Sequence, residues 1–88
     1  MKLKYDFIVR EIGERFVAVA VGDNAEDFHG IIKMNKSGKI ILEMMKDEIS
    51  KEELVARLME RYEGTEEFFS GEVDKFVKSL ADVDAVIL

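Results

Sequence analysis

Residues 31–41, IIKMNKSGKII, decide the fold, because the hydrophobic period changes inside them. Up to Met34 the chain carries a short apolar run, FHGIIKM from Phe28, which predicts a strand. Beyond Asn35 the apolar residues Ile40, Ile41, Met44 and Met45 fall at helical spacing and leave Lys39, Glu43 and Lys46 toward water. Asn35 stands at the switch, where its side-chain oxygen can accept a hydrogen bond from the first turn of a helix.

Working toward the start, Arg15 to Val21 (RFVAVAV) is rich in β-branched residues, and Lys4 to Arg10 alternates Tyr5, Phe7 and Val9 with polar residues. Ile8 alone breaks that alternation. Gly13 lies in the short gap between the two runs and predicts a hairpin turn. Gly22, Asp23 and Asn24 then read as a loop.

Working toward the end, Ser50 with Glu53 three residues later forms an S-x-x-E capping box. Leu54, Val55, Leu58, Met59 and Tyr62 are the expected buried stripe of that second helix, and Gly64 its expected terminator. Thr65 with Glu66 and Glu67 opens a third helix, acidic residues favouring the positive end of the dipole. Phe69, Val73, Phe76, Val77 and Leu80 supply its apolar face, while Ser70 and Gly71 weaken its first turns. The apolar end DAVIL is expected to pack. The fold class is therefore α+β: a three-stranded antiparallel sheet followed by three helices.

Composition narrows the functions. The chain has 88 residues, 48% of them hydrophobic, with no repeat or linker, so residues 1–88 are expected to form one domain with one core. Cysteine is absent, which removes disulfides, thiolate metal sites and thiol nucleophiles and fits a cytoplasmic location. No stretch suits a signal peptide or a membrane span. The net charge is −6, and the helical half carries most of it, which disfavours a nucleic-acid partner.

Catalysis finds little support in these residues. His29 is the lone imidazole and reads as a strand residue beside Gly30. Ser37, Ser50 and Ser70 read as helix-start residues, and the six glycines form no phosphate-binding motif. Met44, Met45 and Met59 fall on apolar stripes, whereas Met34 lies where a partner could reach it. No enzyme activity, cofactor or metal is expected. What remains is a sheet edge. The segment GIIKM carries only Lys33 as a blunting charge; either a partner strand adds to it, or the protein's own helix or tail covers it.

The segment FHGIIKMNKSGKIILEMM, followed by SKEELVARLMERYEG and an acidic helix start running on to FVKSL, resembles the PqqD family across essentially the whole chain. The resemblance implies a winged-helix-like fold that binds the leader segment of a ribosomally synthesised precursor peptide. It also implies that the peptide is presented to a modifying enzyme, a radical S-adenosylmethionine enzyme in the founding pathway. The leader would add as a strand beside Gly30, Ile31, Ile32, Lys33 and Met34, in a cleft closed by the third helix. Phe69, Val73, Phe76 and Val77 are the resemblance's candidates for the helix wall, divided between cleft and core in an order it does not assign. An aromatic often found in the first helix of such proteins is replaced here by Leu42 and the methionines, and the founding pathway itself is not implied. Two other classes compete: a nucleic-acid-binding winged helix, and a dimerisation domain whose third strand pairs with its symmetry mate. The chain would accordingly be a monomer or a homodimer.

Overall fold

The computed structural model describes residues 1–22 and 31–88. The elements run β1 (Lys2–Leu3), β2 (Asp6–Ile12), β3 (Arg15–Val21), β4 (Ile32–Met34), α1 (Lys36–Met44), α2 (Lys51–Arg61), α3 (Glu66–Asp82) and β5 (Val86–Ile87). Strands β2, β3 and β4 form the expected antiparallel sheet in that order, and three helices follow it in an α+β, winged-helix-like arrangement. A second sheet, which the sequence did not announce, pairs β1 with β5 at the two ends of the chain. The expected start of the third strand, Phe28 to Gly30, lies outside the described residues, as does His29.

Local chemistry sets the boundaries. Gly13, at φ 64°, occupies the first central position of a two-residue turn between Ile12 and Arg15, and Glu14 keeps a negative φ. That combination is a type II′ turn, whose twist matches the flanking strands. The side chains of Asn35, Ser50 and Thr65 each accept the backbone N–H three residues on, at 3.0, 3.1 and 3.1 Å, so all three helices start where their caps predict. Only half of the capping box forms. Glu53 turns to Arg57 one turn ahead, at 2.8 Å, which draws its carboxylate away from the Ser50 backbone. Ser70 is inside α3 rather than at its start.

The α3 C-terminus has a cap of its own. The N–H of Asp84 reaches the Ala81 carbonyl at 3.0 Å and that of Ala85 the Leu80 carbonyl at 2.9 Å. This is a Schellman motif with Asp84, at φ 56°, in the left-handed position. It turns the chain so that Ala85 and Val86 of the apolar tail enter the core, whereas Ile87 and Leu88, expected to pack with them, are exposed.

Several helix readings need correction. The face of α1 that is buried runs Gly38, Ile41, Leu42 and Met45, while Ile40 and Met44 are half-buried. The doublets Ile40–Ile41 and Met44–Met45 fit two phases about 100° apart, and the sheet selects the one that buries Leu42. In α2, Leu54, Val55 and Leu58 are buried, whereas Met59 and Tyr62 remain 44% and 40% exposed. Both line open hollows shared with the start of α3, Met59 beside Glu66 and Ser70 and Tyr62 beside Phe68 and Phe69. Gly64 does not terminate α2 by a left-handed conformation; the Tyr62 C-cap is extended. Its role is space, since a Cβ there would lie 2.8 Å from the Phe69 ring.

The sheet has two distinct faces. Phe7, Ala18, Ile32 and Met34 lie on the buried face against the helices. Ile8, which broke the alternation, points with Ile12 and Val19 to the opposite face and is exposed.

A strand edge facing a helix across a cleft

The hairpin register determines which backbone groups of β4 are free. In a two-residue turn the closing pair, here Ile12 and Arg15, exchanges hydrogen bonds, and paired residues then alternate along the ladder. Arg15, Val17 and Val19 therefore direct their N–H and C=O groups to β2, and Phe16 and Ala18 direct theirs to β4. Phe16 is opposite Met34, and Ala18 is opposite Ile32. Ile32 and Met34 accordingly spend their backbone groups on β3, whereas those of Ile31 and Lys33 point to the outer edge. Among the described residues no strand pairs with that edge.

The edge is not open solvent. A cleft of about 310 Å³ separates it from α3. On one side stand Lys33 and Met34 of β4, Arg15 of β3, and Asn35, Gly38 and Ile41 at the start of α1. The opposite wall is a single face of α3: Glu72, Lys75, Phe76 and Ser79, at spacings that stack on one side of a helix. Gly38 lets the walls converge, because a Cβ on it would lie 2.9 Å from Met34 Cβ and 3.0 Å from the Phe76 ring. The small residue in NKSG thus has a packing reason: strand, first helix and third helix meet there.

The sequence-derived site residues fall into three groups. Ile31, 52% exposed, and Lys33 lie on the outer edge, and Ile32 and Met34 present their side chains to the core. Met34 is buried rather than left for a partner. Phe76 is half-buried and lines the cleft; Val77 is half-buried and does not. Phe69 is buried and Val73 is 0% exposed, so these two support the wall from behind and do not form its surface. Gly30 lies outside the described residues.

Sequence reading missed Arg15, Gly38, Glu72, Lys75 and Ser79. Three of them follow from Phe76 by helical spacing once that residue is placed at the cleft; Arg15 comes from the hairpin and carries no local signal. Beyond Ile41 and Glu72, which line both, the cleft adjoins a more apolar hollow formed by Ile40, Tyr62 and the 58% exposed Phe68. Among the described residues there is no cluster of His, Cys, Asp or Glu able to hold a metal ion, and no helix is long and apolar enough to cross a membrane.

Over residues 17–86 the sequence matches the model of the PqqD family, coenzyme PQQ synthesis protein D. The chain belongs to the PqqD family. The match runs from within β3 into β5 and so includes every cleft-lining residue except Arg15. Among solved structures, this PqqD-family chain is similar to TbiB1 in complex with the TbiA(beta) leader peptide, with a TM-score of 0.72 over 97% of this chain and 93% of that one. Identity is 15%, so the likeness concerns the fold. A comparison with curated proteins finds no match in sequence.

Proposed function

We propose that this chain is a non-catalytic recognition domain that binds the leader segment of a ribosomally synthesised precursor peptide as an added strand on β4. Residues 1–88 act as one unit in the cytoplasm, and α3 closes over the bound segment. The observation that carries this reading is the outer edge of β4, where the outward N–H and C=O groups of Lys33 border a cleft walled by one face of α3, and Ile31 continues the same edge. Strand addition needs such groups for affinity and a neighbouring wall for side-chain selectivity. Family membership supports it, and so does the leader peptide held by TbiB1, which shares the fold.

Within this reading the domain delivers the peptide to a modifying enzyme, of the radical S-adenosylmethionine class as in the founding pathway or of another class. Phe76 is the contact from α3, with Ile31, Lys33 and Gly30 on the strand side. Phe69, Val73 and Val77 hold the helix in place. The nucleic-acid reading has less support: on α2, Lys51 and Arg57 are engaged by Asp74 and Glu53, both at 2.8 Å, and α3 starts with two glutamates.

A proline scan tests the proposal. Peptides selected from a random displayed library against the wild-type protein serve as probes, titrated by calorimetry and by amide chemical shifts. Ile31→Pro and Lys33→Pro remove outward donors and should weaken binding about tenfold or more while the fold survives. Selected peptides that bind both variants as well as wild type, with shifts away from residues 31–34 and 72–79, would contradict strand addition.

A further inference from the structure

The charge around this cleft runs against that of the molecule. Nineteen acidic residues face thirteen basic ones in the sequence. Five of the thirteen side-chain cations are engaged: Lys4, Lys39, Lys51, Arg57 and Lys78 each lie within 4.0 Å of a carboxylate. Eight have no ion-pair partner among the described residues, and three of these eight, Arg15, Lys33 and Lys75, line the one cleft. They come from three different elements, so no single surface helix explains their meeting. Glu72 is the lone acidic residue in the lining.

The start of α1 adds to the same sign. The first turns of α2 and α3 each carry two glutamates, whereas that of α1 carries none and opens with Lys36. Its Asn35 cap satisfies the Gly38 N–H, and the positive end of the helix is directed at the cleft mouth without an acidic side chain to offset it. An acidic segment would be repelled by most of this protein's surface and attracted at this cleft.

We infer that the segment bound along β4 is acidic, with at least one Asp or Glu held among Arg15, Lys33 and Lys75. This rests on the strand-addition reading and specifies its ligand. Lys33 projects from the outer face at the edge, and Lys75 from the helix across the cleft. A carboxylate on the added strand therefore meets a cation on either side of the strand, and Glu72 disfavours a second acidic residue near the apolar hollow. A strand-shaped peptide is favoured over a phosphate chain because the cations border backbone N–H and C=O groups that no strand among the described residues pairs, and only another peptide backbone matches these in both donor and acceptor.

The test is a selection from a displayed library of random linear peptides of roughly 12 residues, long enough for one strand with flanks. It is run in parallel on the wild-type protein and on a Lys33→Glu/Lys75→Glu double variant. Both substitutions are at exposed positions, and an amide spectrum checks that the variant is folded. Wild type should enrich Asp or Glu at a fixed position relative to the apolar residues; the double variant should enrich Lys or Arg there. Changing that carboxylate to its amide should weaken wild-type binding about fivefold to tenfold, and raising salt from about 0.05 to 0.5 M should do likewise. Glu72→Gln should tighten the same peptide.

Peptides that shift the amides of residues 31–34 and 72–79 but are neutral or basic would overturn the acidic ligand and leave strand addition standing. Peptides that leave those amides unmoved, or no enrichment at all, would overturn both. Displacement of the acidic peptide by an equal concentration of single-stranded oligonucleotide would make the cleft a phosphate site and overturn the inference.

Discussion

The sheet has two edge strands, and they are protected in different ways. Strand β2 is seven residues long and bears Asp6, Arg10 and Glu11, so its outer edge is blunted by charge. Strand β4 is three residues long, carries Lys33 alone, and faces α3 across the cleft. A charged edge rejects partners generally, whereas a short edge behind a helix admits one extended segment and excludes a second sheet. The difference is the ground for proposing β4 as the binding edge, without reference to any side chain of special chemistry.

The largest effect is expected where the two roles of β4 collide. Ile32→Pro removes a ladder donor to β3 and a buried side chain, and should destabilise the protein by about 3 kcal/mol or more, read from denaturant unfolding. If Ile32→Pro unfolds no more easily than Lys33→Pro, the assignment of inner and outer donors is reversed. Next is Gly38→Ala, where the new methyl group meets Met34 and Phe76 within 3.0 Å. Overpacking of about 1–3 kcal/mol should exceed the helix-propensity gain of up to about 1 kcal/mol, and peptide affinity should fall as Phe76 is displaced. A stabilised Gly38→Ala protein would show that the walls of the cleft yield freely.

Asn35→Ala should remove about 1 kcal/mol by leaving the Gly38 N–H without its cap. Unfolding midpoints measure it. The smallest effect sharpens the comparison most: Glu11→Pro and Lys33→Pro each remove a donor on an outer edge at an exposed position, one on β2 and one on β4. Both should change stability by no more than about 1 kcal/mol, since edge strands tolerate proline on their outward side. Only Lys33→Pro should lose peptide binding. Equal losses from both would mean that the two edges are equivalent.

These contrasts also mark what the sequence makes legible. The three N-cap residues, the Gly13 turn and the strand-to-helix switch at Asn35 depend on residues within a few positions of one another and are found as read, except that the Ser50–Glu53 box closes on one side only. The resemblance drawn from the same junction holds. The phase of α1 was not legible, because paired apolar doublets leave two faces equally plausible until the sheet chooses Leu42. Met59 and Tyr62 read as stripe residues by spacing, but they line open hollows between α2 and the start of α3, which spacing within one helix does not reveal. The β1–β5 pairing and the meeting of Arg15, Lys33 and Lys75 join residues remote in the chain, and only the tertiary structure brings them together.

Hydrogen exchange at β4 tests the central claim most directly. In the free protein the amides of Ile32 and Met34 should exchange slowly and those of Ile31 and Lys33 rapidly, since only the first pair is bonded to β3. On binding a library-selected peptide, Ile31 and Lys33 should become protected while Ile32 and Met34 change little. Protection of Ile31 and Lys33 already in the free protein, or their continued rapid exchange in the complex, would contradict an added strand on β4.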